Sequence, residues 1–87
     1  MNTMHDLDST ILLSITPTFR SVIELDDLVL SRDLDASHVA AWDSLNHISL
    51  IVELENLAGI VFNTDDLASM VNVGSLVDIL IAKGYKG

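Results

Sequence analysis

The sequence predicts an all-α protein built from four helices, and three observations carry that prediction. Apolar residues recur at helical spacing in separate stretches along the chain. Residues suited to helix starts and stops punctuate those stretches, with Asp8 or Ser9, Thr64 and Asn72 as starts and Gly59 and Gly84 as stops. The chain is 49% hydrophobic, yet its large aromatics are only Phe19, Trp42, Phe62 and Tyr85. Its core is therefore mostly Leu, Ile and Val, which suits helix-on-helix packing.

In chain order, Met1 to Asp8 reads as a frayed lead, and Asp8 or Ser9 offers a short oxygen-bearing side chain to the amides of a first turn. From there Leu12, Ile15, Phe19 and Val22 fall on one helix face. Pro17 lies within that pattern but off the apolar face. A proline there removes one hydrogen bond and crowds the previous turn, at about 3 kcal/mol. One kinked helix, convex toward solvent, is preferred over a short helix starting at Thr16-Pro17. Glu24 to Ala41 is a long connection in which Asp26, Asp27, Asp33 and Asp35 keep the chain solvated. Leu25, Leu28, Leu30 and Leu34 would pin it to the core. A loop of this length inside a small domain is usually functional, and here it delivers Trp42-Asp43-Ser44 to the next helix.

That helix, Leu45 to Leu57, carries one narrow polar stripe of Asn46, Ser49, Glu53 and Asn56. Leu45, Ile48, Leu50, Ile51, Val52, Leu54, Leu57 and Ala58 occupy most of the remaining circumference, with His47 and Glu55 at the edges. A helix apolar on so many sides is expected at the centre of its domain, with the other pieces around it. Gly59 closes it. Thr64 ahead of Asp65 and Asp66 starts a short helix of about two turns through Leu67, Met70 and Val71, its acids favourably placed against the helix dipole. Asn72 caps a last helix that turns Val73, Leu76, Val77 and Leu80 inward, with Lys83 in its final turn and Gly84 as its stop. Tyr85 to Gly87 is tail.

The totals bound the function. Eighty-seven residues allow one domain, 1–87, with a core at about 8–84. A net charge of −9 with four basic residues argues against nucleic acid and against an anionic membrane surface, and favours partners that carry a basic patch. Without cysteine there are no disulfides or thiolate metal sites, and any functional thiol must arrive on something attached. His5, His38 and His47 have no metal-ligand spacing. No apolar run has the length of a membrane span and no signal peptide is read, so a cytoplasmic monomer is the expectation.

Ser44 is the residue on which function turns. Taken alone, a serine after an aspartate at a helix start is an N-cap. A hydrolytic pair with His47, three residues on, lacks a third residue to orient the imidazole and has no nucleophile-elbow pattern around it. The wider context says more. Trp42-Asp43-Ser44-Leu45 opening a long helix, then Gly59-Ile60-Val61-Phe62, a short helix and a final helix ending in Lys83-Gly84 resembles the acyl carrier proteins. The resemblance covers nearly the whole chain and is strongest from Trp42 to Gly84. It implies an acyl-carrier-type four-helix bundle with a long loop between helices 1 and 2 and a short helix 3. It also implies a non-catalytic carrier. A phosphopantetheinyl transferase would attach 4′-phosphopantetheine from coenzyme A to Ser44, and Asp43 matches the acid that orients the transferase and its metal. The further partners implied are an acyl-loading ligase or acyltransferase and a ketosynthase or other acyl-processing enzyme. The Trp-Asp-Ser-Leu-Asn-His form, without the glycines that peptidyl carriers place before the serine, looks more like discrete carriers of specialised lipid or polyketide pathways than like the general fatty-acid carrier. The rival from another class is a small helical interaction module with no prosthetic group.

Two departures from the family pattern matter. The exposed stripe of the long helix is usually rich in acids that meet basic enzyme surfaces, whereas Asn46, Ser49, Glu53 and Asn56 carry one charge. Ala58 stands where the family commonly has a large aromatic. The space is either repacked by Leu57, Phe62 or Met70, which is preferred, or opens toward an acyl pocket for which Ile51, Leu54, Phe62 and Met70 are candidate lining. From the first departure, general fatty-acid enzymes are expected to acylate or elongate this carrier poorly. Efficient use by them, strongly weakened by Glu53→Gln alone, is the contrary result in an acylation assay.

Overall fold

An aliphatic or aromatic residue every fourth position, Ile11, Ile15, Phe19 and Ile23, lines one side of a helix, and none of the four is more than 2% exposed. That helix is α1 (Thr3–Ile23). The structure, a computed structural model, describes residues 3–87, with side chains from residue 7 onward. Its other helices are α2 (Ser44–Ala58), α3 (Thr64–Ala68) and α4 (Val73–Ala82), with a 3-10 turn at Ala36–His38. Among the described residues there is no strand, and the all-α fold with its long first connection and short third helix is as the sequence predicts.

The central element is α1, which packs against both α2 and α4. The sequence reading placed α2 there, and this is corrected. Only Leu50 and Leu54 of α2 are buried, while Leu45, Ile48, Val52 and Leu57 are 46–73% exposed. With α3 only five residues long, little chain remains to cover the outer side of α2.

The start of α1 is also corrected. Residues 1 and 2 of the expected lead lie outside the described residues, but the chain is helical from Thr3, so neither Asp8 nor Ser9 is an N-cap. Leu7 packs against the core one turn before Ile11, and Asp8 is ion-paired with Arg32. Tertiary contacts therefore hold a turn for which local capping was not needed. The helix runs unbroken through Pro17, which decides for one helix over a short helix starting at Thr16-Pro17. Pro17 and Leu13, whose carbonyl loses its amide partner to the proline, are both exposed. The buried line is Ile11-Ile15-Phe19-Ile23, and Leu12 and Val22 are its half-buried flanks.

The long connection is anchored at several points. Arg20 Nε donates to the Leu28 carbonyl at 2.9 Å. Leu30 is buried and Leu28 and Leu34 pack on the core, but Leu25 is exposed, and the deepest loop anchors are Val39 and Trp42. The first amides of α4 are met by this loop: Val73 N–H donates to Leu34 O at 2.9 Å and Gly74 N–H to Arg32 O at 2.7 Å. Arg32 joins loop to helices through Asp8 of α1 and Asp78 of α4, and the Asp78 hydrogen bond leads the interactions that raise its pKa.

The cap of α3 is Asn63, not Thr64. Asn63 Oδ1 accepts from Asp66 N–H at 2.8 Å while Asp66 Oδ2 accepts from Asn63 N–H at 2.9 Å, a reciprocal box. Asp66 also meets Lys83 Nζ at 2.7 Å, and that contact, with the Asn63 amide second, holds its carboxyl below the usual aspartate range. The helix stops at Ala68, short of Met70 and Val71. Asn72 caps α4 as expected, accepting from Ser75 N–H at 2.8 Å, and Val73, Leu76, Val77 and Leu80 are buried. Gly59 (φ 66°) and Gly84 (φ 93°) adopt the left-handed turn of helix ends. Tyr85 is not free tail: its hydroxyl is hydrogen-bonded to Ser14 Oγ at 2.8 Å.

Gly74 is where loop and α4 come closest. A Cβ there would lie 2.9 Å from Arg32 O and 3.1 Å from Arg32 Cβ. Although alanine favours helix, Gly74→Ala is expected to destabilise the fold by about 1–3 kcal/mol through this overpacking. Urea denaturation reads the effect as a lower midpoint; an unchanged midpoint would mean that the loop yields without cost.

Candidate functional site

The site is assembled at the start of α2 by the loop that precedes it. Asp35 begins the 3-10 turn by accepting from Ser37 N–H at 2.8 Å, and hydrogen bonding from Ser37 holds its carboxyl low. The turn leads to buried Val39, whose carbonyl accepts from Trp42 N–H at 3.0 Å. Trp42 is 7% exposed and stands edge-on to Phe19 of α1, with ring centroids 5.4 Å apart. Its indole N–H donates to His47 Nδ1 at 3.1 Å, and the two rings are stacked. His47 is thereby committed to Trp42, and no hydrogen bond joins it to Ser44.

Asp43, in extended conformation, caps α2: its Oδ1 accepts from Asn46 N–H at 2.9 Å, and its carbonyl accepts from His47 N–H at 2.8 Å. This assignment has a chemical consequence. The serine is the first residue of the helix rather than its cap, so its hydroxyl is not consumed by the backbone. Ser44 is exposed, and its Oγ has no hydrogen-bond partner among the described residues. The Ser44 and Leu45 amides likewise have no acceptor among the described residues, leaving two N–H groups at the positive end of the helix beside that hydroxyl.

Two depressions flank this end of α2. One, of about 510 Å³, is lined by Ala36, Trp42, Asp43, Ser44, His47 and Ile48. The next, of about 320 Å³ and more apolar, is lined by His47, Ile48, Ile51, Val52 and Leu67. His47 and Ile48 are common to both, so an open trough leads from Ser44 toward α3. Of the candidate pocket residues, Ile51 lies in this trough. Leu54 (0% exposed) and Phe62 (6%) are in the core, and Met70 packs against that core. Ala58 packs on the core too and does not line the trough, while Leu57 points outward. Phe62 is held by its amide, which donates to Glu55 Oε2 at 2.8 Å.

The polar stripe faces a different way. Asn46, Ser49 and Glu53 line a groove of about 570 Å³ with Pro17, Thr18, Ser21 and Val22 of α1, and Asn56 is exposed beyond it. Asn46 is half-buried, and its Nδ2 donates to Ala41 O at 2.6 Å, which helps brace the loop. Sequence reasoning missed the exposed apolar line of Leu45, Ile48 and Val52 beside this stripe. Its i, i+3, i+7 spacing was legible, but that spacing marks an apolar face without saying whether anything covers it.

Because asparagine caps as well as aspartate, the two roles of Asp43 separate experimentally. Asp43→Ala is expected to lower stability by about 1 kcal/mol and to speed amide exchange at Asn46, whereas Asp43→Asn leaves both near wild type. Equal loss in the two variants would place the contribution in the charge instead.

Neither a family model nor a curated protein matches the chain. Among solved structures, it is similar to the solution NMR structure of the holo acyl carrier protein from Geobacter metallireducens. The two are 43% identical, with 83% of each chain covered and a TM-score of 0.79.

Proposed function

The chain belongs to the acyl carrier protein family, and from that premise we propose that it holds acyl groups on a 4′-phosphopantetheine arm attached to Ser44 and presents them to biosynthetic enzymes. The observation that carries this reading is the Ser44 hydroxyl: exposed, without a partner, and beside two free amides at the start of α2. A cap serine would have its oxygen engaged, and a buried one would be out of reach of a transferase. The residues present fit the group. Ser44 Oγ would form the phosphodiester, and the free Ser44 and Leu45 amides suit a phosphate on that oxygen. The hydrogen-bonded Trp42–His47 pair lines the depression beside the attachment point.

When bound, the arm supplies a thiol that holds the acyl group as a thioester, chemistry the chain cannot provide because it has no cysteine. The chain's own work is to present the hydroxyl, keep the helix start ordered and offer surfaces to successive enzymes, with tethering raising the local concentration of cargo. These enzymes would be a phosphopantetheinyl transferase, a loading ligase or acyltransferase, and a ketosynthase or similar acyl-processing enzyme. The sparse charge of the Asn46-Ser49-Glu53-Asn56 stripe supports a discrete carrier of a specialised pathway.

Incubation with coenzyme A and a permissive transferase is expected to add one phosphopantetheine mass per chain, and Ser44→Ala to abolish the addition. Thiol titration reads the same event with no background: none per unmodified chain, one per modified chain. A folded chain that no transferase modifies would leave the interaction module as the surviving reading.

A further inference from the structure

We infer that His47 holds the root of the arm: its Nε2–H donates a hydrogen bond to the phosphate on Ser44, and Trp42 keeps the ring in the form able to do so. This rests on the carrier reading above. An indole N–H is only a donor, so the imidazole nitrogen that meets it, Nδ1 at 3.1 Å, is the one without a proton. In the neutral ring the proton then sits on Nε2. That second nitrogen has no partner among the described residues. Since no buried side-chain polar atom among them lacks a partner, Nε2 is open to solvent. The contact with Trp42 therefore spends one ring nitrogen and leaves the other as a free donor of fixed identity.

His47 stands three residues after Ser44 on α2, a spacing that puts the two on one helix face with Cβ atoms about 5–6 Å apart. Both line the same depression. A phosphodiester on Ser44 Oγ is anionic and only accepts hydrogen bonds, so the donors around it decide where it lies. The other side chains lining that depression offer none. Ala36 and Ile48 are apolar, the Trp42 N–H is taken, and the Asp43 carboxylate repels the charge while it caps the Asn46 amide. Asn46 turns its own Nδ2 to the Ala41 carbonyl. No lysine or arginine occurs between Arg32 and Lys83, and those two are paired, Arg32 with Asp8 and Asp78, Lys83 with Asp66. Besides the Ser44 and Leu45 amides, His47 is thus the donor left. Repelled by Asp43 and bound by His47, the phosphate is drawn toward the second depression that His47 also lines. The pair sets the direction in which the arm leaves the protein.

The test uses the full chain with isotopically labelled histidine nitrogens, before and after full modification by a permissive transferase and coenzyme A. It is run at one pH above the ordinary histidine range. Nitrogen NMR is expected to find the His47 proton on Nε2 in both forms, with the Nε2–H signal shifted by modification. In the phosphorus spectrum, His47→Phe, which keeps the ring's bulk without its nitrogens, is expected to shift the phosphodiester resonance and narrow it as the root of the arm is released. His47→Gln, with an amide donor of similar reach, restores part of that change. Trp42→Phe is expected to leave mixed His47 tautomers and to move the phosphorus resonance in the same direction as His47→Phe, a signature that lost packing alone would not produce. The tautomer is read on the wild type, so a Trp42→Phe chain that fails to fold does not remove the test. A His47 proton on Nδ1, or a phosphorus resonance alike in position and width in wild type and folded His47→Phe, overturns the inference and leaves the carrier reading standing. Failure of the folded wild type to accept the arm at all overturns the carrier reading, and this inference with it.

Discussion

Burial of the α1 line Ile11-Ile15-Phe19-Ile23 is the constraint from which the rest of the arrangement follows. These residues form the inner wall on which α2 rests by Leu50 and Leu54 and α4 by Val73, Val77 and Leu80. Because α1 takes the central place, α2 needs only a narrow strip of its circumference for the core. Its remaining apolar residues are left to the surface, and its polar stripe meets α1 across an open groove. A helix with this much aliphatic surface would lie buried in a larger protein. Here the five-residue α3 leaves Leu45, Ile48, Val52 and Leu57 exposed.

The same economy shapes the start of α2. Trp42 is packed against Phe19 of α1, so the aromatic contact at the core and the residue presented to solvent are only two positions apart. Burial of the indole fixes the chain path, Asp43 ends the loop by capping, and Ser44 emerges with a free hydroxyl. The loop is held at its other side by Arg32 and by the carbonyls that satisfy the first amides of α4. Loop, cap and helix start are therefore tied to one another and to the bundle by named contacts.

Charge is distributed to match. The basic residues Arg32 and Lys83 are spent on internal pairs, so the face made by α2 and α3 is left apolar and acidic. A net charge of −9 favours partners that carry a basic patch.

Helix number, the long first connection, the short third helix, the Asn72 and Gly84 boundaries and the inward face of α4 were legible in the sequence, because caps, glycines and the helical apolar repeat act locally. The family pattern around Ser44 was legible for the same reason: it is carried by neighbouring residues. Three things were decided only by tertiary structure. Whether α1 or α2 is central depends on which apolar face finds a partner, and spacing marks a face without naming what covers it. The first turns of α1 form because Leu7 and Asp8 have contacts elsewhere in the fold, which no local cap announces. Which of Asp43 and Ser44 serves the helix as its cap depends on the backbone angles the loop takes at Asp43, which is extended, and on that choice rests whether the serine oxygen is spent or free.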